Sequence, residues 1–515
     1  MKLPRWARRL LSAVGFLAVA GAAAGLTWLV REQPWKVTVP YSPDPVAAAS
    51  DAALVRASLS DLPPRAGQGP DIVLIVLDTV RADHLELYGY RYSTMPHLTA
   101  WAREALVFDR AVSSSSWTLP AHATLFTGLL PAEHGAHGRL LTAAERELHR
   151  PRMLEHPLRR GTPTLASHLR ESGYTTLGIA ANRAYLDTPW GLDQGFDLWI
   201  CGQPERGQPD LPYLQGDRIT AMALSAVDGL LERAEGTGEQ ERAPFFLFLN
   251  YMEAHAPYIA REGYVRDPSR LALFQRAIPA RDHAARDTLA GESDLPDRLR
   301  EGWEEAYDAE LRFLDEQVGR LLVGLDERGV GQDAMIVVVS DHGEYFGEHR
   351  LVEHSKDLYE PGLRIPLLQR APGVLAGRTS DLTEIAAVPG WLLQRAGARP
   401  LPAAPSTGGL VIAELYGSRS RDLFSERYGA RFNRVRRAFR RDDHKVILGS
   451  DGSFEAYDLA TDPEERVDLH EAAWAMELAA EGRAWEAEHA ADGGGGGEEA
   501  EGVDVEALRG LGYVD

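Results

Sequence analysis

The sequence predicts an α/β fold, in which a mostly parallel sheet is flanked by helices and followed by a small antiparallel sheet. Short apolar runs closely followed by polar residues occur at 72–77, 245–249 and 335–339. The polar residues are Asp78, Asn250 and Asp341, and such runs are typical of strands buried on both faces of a parallel sheet. Helical patterns at 162–172 and 304–324 separate them, and this alternation favours the α/β class.

The pattern changes from about residue 400 onward. The stretches 431–448 and 453–459 have the pattern of short strands joined by turns, which predicts a small antiparallel sheet within a subdomain at 401–488. The glycine run at 493–497 is followed by acidic residues, so 489–515 is interpreted as a flexible linker and tail.

Composition and charge restrict the function classes. A chain of 515 residues exceeds the roughly 250–300 residues of one core, so we expect one large domain and a smaller one. The formal charge of −21 disfavours nucleic acid or anionic lipid as a partner of a general basic surface. An anionic substrate stays compatible, because a metal or a few cations can dominate one pocket. The single cysteine, Cys201, excludes an intramolecular disulfide.

The N-terminus has the pattern of a single membrane anchor. Basic residues crowd the segment 1–9 and precede an uncharged run at 10–30, about long enough to cross a bilayer. The charge asymmetry predicts that 1–9 stays in the cytoplasm and that the rest of the chain lies outside it. The alternative is a signal peptide cleaved near 20–24, which would release a secreted protein. The stretch 31–69 is rich in Pro, Ala, Ser and Asp and is interpreted as a linker.

Acidic residues and a histidine at strand ends suggest a metal site. Asp78 follows the first apolar run, and Asp341 with His342 follows another. A buried acid is costly unless something pairs with it, and a metal is one such partner. The adjacent Asp341 and His342 offer an oxygen and a nitrogen ligand from one turn. The alternative for Asp78 is a helix cap.

Thr118 is the candidate nucleophile. Pro120 suits the first turn of a helix and Gly128 suits its end, so Thr118 is expected just before a helix N-terminus. Free backbone N–H groups there favour an anion, and a metal can activate a hydroxyl by lowering its pKa. The alternative is that Thr118 only caps the helix.

Two later segments supply side chains for anion binding. His255 lies in the first segment, which follows the run at 245–249. Lys356 lies in the second, two residues after His354. Each side chain could bind an anion or protonate a leaving group. An ordinary surface position is the alternative for each of them.

Taken in order, five motifs resemble the successive landmarks of sulfatases, which belong to the alkaline phosphatase superfamily. They read LIVLDTVRADHL, TLPAHATLFTGLLPAEHG, NYMEAHAPY, VVVSDHGEYFGEH and EHSKDLYEPGLRIPLL. The resemblance covers roughly residues 70 to 470. It implies an alkaline-phosphatase-like fold, a catalytic domain at 70–400, and metal-dependent hydrolysis of an anionic sulfuric or phosphoric ester.

The sequence departs from ordinary sulfatases at the nucleophile. Those enzymes carry Cys or Ser in a Cys/Ser-x-Pro-x-Arg motif and oxidise it to formylglycine, whereas this chain has Thr118 and, in place of the arginine, His122. Oxidation of threonine would give a ketone, so no formylglycine is expected. Thr79 replaces a second metal-binding acid, and Asn182 and Arg183 stand near the usual Lys-x-His.

The remaining set Asp78, Thr118, Asp341 and His342 resembles one metal site of phosphodiesterases and phosphoethanolamine transferases in the superfamily. That resemblance implies that Thr118 is both nucleophile and metal ligand. Mixed oxygen and nitrogen ligands favour Zn²⁺ or Mn²⁺ as the one divalent ion, with Ca²⁺ as the alternative.

The catalytic set is completed by His122, His255 and Lys356, which are expected to stabilise charge or protonate the leaving oxygen. Two other functions stay open. One is a phospho-group transferase of phosphoethanolamine or phosphoglycerol type that acts on envelope lipids or glycans. The other is a catalytically degenerate binding protein on a sulfatase scaffold.

Overall fold

The structure is a computed structural model of the chain. It describes residues 45–147, 153–202, 213–237, 242–270, 276–277, 279, 282–402, 408–489, 503 and 508. The basic segment 1–9, the apolar run 10–30 and most of the tail 489–515 lie outside the described residues. Within the described part, no helix is both long and apolar enough to span a bilayer.

Strands and helices alternate through the main domain. In chain order the strands are β1 (Ile72–Leu77), β2 (Leu106–Val112), β3 (Thr175–Ala180), β4 (Leu198–Cys201), β5 (Phe245–Tyr251), β6 (Tyr258–Ile259), β7 (Arg276–Ala277), β8 (Met335–Val339), β9 (Tyr345–Phe346), β10 (Val352–Glu353), β11 (Arg364–Ile365), β12 (Leu367–Arg370), β13 (Gly377–Glu384), β14 (Val411–Tyr416), β15 (Val435–Arg441), β16 (His444–Gly449) and β17 (Phe454–Asp458). The α-helices are α1 (Pro45–Ser60), α2 (Pro96–Trp101), α3 (Thr118–Thr127), α4 (Pro131–His134), α5 (Ala143–Glu147), α6 (Leu165–Glu171), α7 (Arg183–Leu186), α8 (Gly216–Thr237), α9 (His283–Leu289), α10 (Asp297–Glu327), α11 (Glu360–Leu363), α12 (Val388–Ala396), α13 (Ser420–Leu423), α14 (Gly429–Phe432) and α15 (Ala473–His489).

The central sheet is mostly parallel, as predicted. Neighbouring strands β8, β1, β5, β3 and β4 all run in the same direction. Strand β12 is antiparallel to β8 and to β2, and β13 pairs in parallel with β2 at the edge. Strand β1 lies in the interior of this sheet, so its carboxyl end meets those of β5 and β8 at one edge.

Helices cover both faces of the sheet. The ring of Phe248 in β5 packs 4.9 Å from that of Phe126 in α3, while Tyr251 in the same strand shares a 2.8 Å hydrogen bond with Thr220 of α8. Residues three apart in a strand point to opposite faces, so α3 and α8 lie on opposite sides. Every residue of β1 is buried, which explains its continuous apolar sequence.

Part of the predicted linker 31–69 is folded instead, because residues 45–60 form α1. This helix runs beside α8, with Asp51 bonded to Arg218 at 2.6 Å. Val55 and Leu59, one turn apart on one face, are fully buried. Burial of this apolar stripe against α8 fixes the segment to the main domain. Residues 45–60 of the predicted linker are therefore helical and pack on the main domain.

The predicted C-terminal antiparallel sheet is confirmed. Its order is β14-β15-β16-β17, and all its pairings are antiparallel. Helix α15 lies so close to it that a side chain at Gly482 would meet the Phe439 ring at 2.6 Å. Strand β14 lies before the two stretches, 431–448 and 453–459, that the sequence pattern had marked.

Candidate active site

Asp78, Asp341 and His342 converge at the carboxyl edge of the sheet. Asp78 directly follows β1, and Asp341 with His342 follows the neighbouring parallel strand β8. One ligand atom from each of the three residues lies within 4.8 Å of the others, and all three residues are fully buried. Strand register thus brings together residues that are far apart in sequence.

Thr118 faces this cluster from the start of α3. Its Oγ1 lies 3.2 Å from Nε2 of His342. The preceding residue, Trp117, is extended, and Gly128 ends the helix in the left-handed conformation. Sequence reasoning placed Thr118 just before the helix, whereas the structure makes it the first helical residue. Its hydroxyl still lies where unpaired backbone N–H groups favour negative charge.

His342 presents a lone pair to the centre of the cluster. Its Nδ1–H donates to the carbonyl of Gly343 at 2.9 Å, and burial lowers the pKa of the imidazole, so the ring is neutral with its lone pair on Nε2. That atom lies 3.4 Å from Oδ2 of Asp341 and 4.0 Å from Oδ1 of Asp78. A metal ion is the usual partner of such an arrangement.

Each carboxylate has one oxygen bound by protein donors and one directed at the cluster. Oδ1 of Asp341 accepts the backbone N–H of Thr79 at 3.1 Å and that of His342 at 2.8 Å. Its Oδ2 has no hydrogen bond from any described residue. Oδ1 of Asp78 likewise accepts no hydrogen bond from the described part of the chain.

The electrostatics of the cluster fit a divalent cation. Burial, reinforced by the charge of Asp341, raises the pKa of Asp78 to about 8. Two buried carboxylates that face one another repel unless a proton or a cation separates them. Oxygen atoms of Asp78, Asp341 and Thr118 and a nitrogen of His342 lie close together in this buried cluster. A donor set of this kind can hold a divalent metal ion.

His122 lies one helical turn after Thr118 and belongs to the same site. Its Nδ1 donates to the Thr118 carbonyl at 3.0 Å and lies 3.4 Å from Oδ2 of Asp341. Within the described residues its buried Nε2 has no partner. Burial lowers the pKa of His122, but the carboxylates of Asp341 and Asp78 outweigh it and raise the pKa above its ordinary value.

His255 lies beside His354, whose ring is next to that of His342. The rings of His342 and His354 lie 4.8 Å apart, and those of His354 and His255 lie 4.8 Å apart. Burial lowers the pKa of His255 to about 3, so its imidazole is neutral at neutral pH. The sequence had suggested His255 as a proton donor, and a neutral ring donates a proton poorly.

Lys356 belongs to an adjoining ionic cluster. Its ammonium donates to Oδ2 of Asp422 in the C-terminal subdomain, and burial together with the charge of Arg419 lowers the pKa of Lys356 to about 8. Arg419 in turn donates to Glu353. This cluster could not be predicted from the sequence, because Arg419 and Asp422 lie in a segment without a recognisable motif.

Two asparagines also touch the candidate metal ligands. The amide of Asn182 donates to Oδ2 of Asp78 at 2.9 Å, and that of Asn250 donates to the same oxygen at 3.4 Å. Sequence reasoning noted Asn182 where sulfatases have Lys-x-His and Asn250 at a strand end, but it assigned neither a role. The sequence did offer one signal for such a role, because both asparagines lie at the carboxyl ends of buried strands.

Comparison with known proteins defines the class of the molecule as an ester hydrolase of alkaline-phosphatase-like fold. The family model described as Sulfatase matches residues 70–397, which is more than half of the chain. The chain therefore belongs to the sulfatase family, as the motifs had implied.

Individual relatives are distant. Choline-sulfatase of Rhizobium meliloti is 24% identical over 78% of this chain and 82% of its own length. Ulvan-active sulfatase of Formosa agariphila is 25% identical over 59% of this chain, and the match spans 57% of that protein. The solved phosphonate monoester hydrolase of Agrobacterium radiobacter aligns with a TM-score of 0.61 at 19% identity, covering 82% of this chain and 96% of that one. This last likeness confirms the fold.

Proposed function

We propose that the protein is a metal-dependent hydrolase of sulfuric or phosphoric esters in which Thr118 is the nucleophile. The observation that carries the proposal is the 3.2 Å approach of Thr118 Oγ1 to Nε2 of His342. The inward oxygens of Asp78 and Asp341 flank the same point. A hydroxyl that served only as a helix cap would bond to a backbone N–H group, whereas the Thr118 hydroxyl is hydrogen-bonded to the His342 ring.

In the proposed reaction Thr118 Oγ1 attacks the sulfur or phosphorus of the ester. A bond forms from that oxygen to the central atom, and the bond from the central atom to the alcohol oxygen breaks. The hydroxyl proton of Thr118 passes to solvent, and the alcohol leaves with a proton taken from solvent or from the Lys356 ammonium. Threonine has one hydroxyl, so water must then attack the central atom, which restores Thr118 and releases sulfate or phosphate.

The ion would be held by Asp78, Asp341, His342 and Thr118. When bound, a divalent cation lowers the pKa of a hydroxyl and neutralises the charge of the ester. His122 would then stabilise negative charge beside Thr118, since its imidazole Nε2 is buried without a partner among the residues described. Mixed nitrogen and oxygen donors favour Zn²⁺ or Mn²⁺ over Ca²⁺.

The names of the relatives support a class of substrate. Choline-sulfatase and ulvan-active sulfatase are named for sulfate esters, and the structural neighbour is named for phosphonate monoesters. We therefore propose a sulfate, phosphate or phosphonate ester as the substrate. We also propose that the run 10–30 anchors the protein in a membrane with its catalytic domain outside the cytoplasm.

Paired assays test the function. Purified protein is incubated with an aryl sulfate, a phosphate monoester, a phosphodiester and a phosphonate monoester, each with Zn²⁺, Mn²⁺ and Ca²⁺ in turn. Turnover of at least one ester that Thr118→Ala abolishes is the expected result. Product carried by an added alcohol instead of water would indicate the transferase. Metal binding without turnover of any ester would refute the hydrolase and favour a binding protein.

A further inference from the structure

We propose that Asn182 and Asn250 determine which cation the site selects, by occupying one oxygen of Asp78. The inference rests on the proposed metal centre and concerns two residues that contact one of its proposed ligands. Both asparagines are fully buried, and both donate to Oδ2 of Asp78. They are positioning residues, because they act on the cation through Asp78.

The orientation of both amides is fixed by backbone donors. Oδ1 of Asn182 accepts the N–H of Tyr185 at 3.2 Å and thereby caps α7. Oδ1 of Asn250 accepts the N–H of Asn182 at 3.0 Å. With both carbonyl oxygens satisfied in this way, each NH₂ group must face Asp78, and a flipped amide would lose a bond at each end.

The consequence is that Asp78 offers one oxygen to the site. Asp341 is restricted in the same manner, because the backbone N–H groups of Thr79 and His342 occupy its Oδ1. The two carboxylates together therefore present one oxygen each.

A small donor set discriminates between cations. Ca²⁺ takes about six to eight oxygen ligands and commonly binds both oxygens of a carboxylate, whereas Zn²⁺ is satisfied by about four ligands that include imidazole. The site offers one oxygen each from Asp78, Asp341 and Thr118 and one nitrogen from His342. By holding Oδ2 of Asp78, the amides keep the site poor in oxygen and so disfavour Ca²⁺.

Only the asparagine side of this arrangement can be changed by mutation. The donors to Asp341 are backbone groups, while those to Asp78 are side chains. Asn182→Ser keeps a capping oxygen for α7 and removes the NH₂ donor. Asn250→Ser removes the second donor and also the acceptor of the Asn182 N–H, while the side chain of Asn182 still caps α7. Asn433→Ser is the matched control, because Asn433 lies in the C-terminal region, is hydrogen-bonded to the backbone of Leu141 and has no hydrogen bond to any of the four proposed ligands.

The experiment is calorimetric titration of the purified full chain, stripped of metal, with Zn²⁺, Mn²⁺ and Ca²⁺ in separate runs. In the wild type we expect Zn²⁺ and Mn²⁺ to bind more tightly than Ca²⁺. Loss of a supporting hydrogen bond at a metal ligand commonly changes affinity by about 10–100-fold. In Asn182→Ser and in Asn250→Ser the ratio of Ca²⁺ affinity to Zn²⁺ affinity should rise roughly tenfold, while Asn433→Ser keeps the wild-type ratio.

The outcomes separate this inference from the proposed function. A wild type that binds the cations and variants that keep its affinity ratio would overturn the role of the asparagines and leave the metal centre standing. A uniform loss of affinity for all three cations has the same meaning, since selectivity is then unchanged. A wild type that binds none of the cations would overturn both.

Discussion

The backbone N–H of Thr79 donates to Oδ1 of Asp341 across 3.1 Å, which ties the turn after β1 to the turn after β8. Thr79 has a positive φ of 60°, a conformation that costs a β-branched residue about 1–3 kcal/mol. Tyr307 holds it in place, because its hydroxyl donates to the Thr79 carbonyl at 2.9 Å and accepts the N–H of Arg81 at 2.9 Å. Where ordinary sulfatases carry a second acid, this chain uses the main chain of Thr79 to orient Asp341.

Loss of the Tyr307 hydroxyl is expected to destabilise the fold. Tyr307→Phe leaves a buried N–H and a buried carbonyl without their partner, which costs about 1–3 kcal/mol in the free energy of unfolding. Urea unfolding of wild type and variant measures the difference. Tyr92→Phe, whose ring packs under the Arg266 guanidinium, should change stability by less than about 0.5 kcal/mol. Equal stability of all three proteins would show that Tyr307 does not hold the turn.

Thr118→Ala is expected to lower turnover by roughly 10⁴-fold or more, because it removes the attacking oxygen. Thr118→Ser should retain measurable activity, since it keeps the hydroxyl. Circular dichroism checks that α3 is intact, and Thr127→Ala serves as the control on the same helix, where the hydroxyl bonds only to backbone groups at the far end. Full activity of Thr118→Ala would point to another nucleophile such as Ser116, which lies buried two residues earlier.

Removal of the cation is expected to lower thermal stability as well as activity. A ligand present at about 100 times its dissociation constant stabilises the fold by about 2.7 kcal/mol. Chelation should therefore lower the melting temperature, and added Zn²⁺ or Mn²⁺ should restore it. Asp341→Ala, which removes a proposed ligand, should show no response to either treatment. A response as large as that of the wild type would place the cation elsewhere.

The sequence predicted the edge of the sheet well, because buried parallel strands carry a strong apolar signal and their carboxyl ends must coincide. Asp78 and Asp341 could therefore be placed together without coordinates. The direction of each oxygen could not, since it depends on Asn182 and Asn250, whose contacts arise from the pairing of β3, β5 and β1.

The partner of Lys356 was hidden for a different reason. Its ion pair joins the main domain to Asp422 in the C-terminal subdomain. Neither periodicity nor a motif in the sequence predicts contacts between two packed units. Helix α1 was missed because a Pro- and Ala-rich stretch also suits a linker. The burial of its Val55 and Leu59 depends on packing against α8, which the local sequence does not predict.

His134, a buried neutral histidine in the helix that follows α3, should make the free energy of unfolding depend on pH. Nδ1 of His134 accepts the N–H of Ala136 at 3.0 Å, and its Nε2–H is shared with Thr124 at 3.2 Å. A proton on Nδ1 would point at the N–H of Ala136 and remove this hydrogen bond. Burial lowers the pKa of His134 from 6.5 to about 3. Between pH 6.5 and about pH 3, His134 is protonated in the unfolded chain but not in the folded protein. The free energy of unfolding therefore falls as the pH is lowered through this window, by about 1.4 kcal/mol per pH unit for this residue.

His134→Gln isolates this contribution, because glutamine keeps an acceptor and a donor but does not titrate. The difference in unfolding free energy between wild type and variant should shrink by about 2 kcal/mol between pH 7 and pH 5. Urea titrations at each pH measure it, and between pH 7 and pH 8, above the window, the difference should stay constant. Stability curves that run parallel from pH 8 to pH 5 would mean that His134 is protonated as readily in the folded protein as in the unfolded chain.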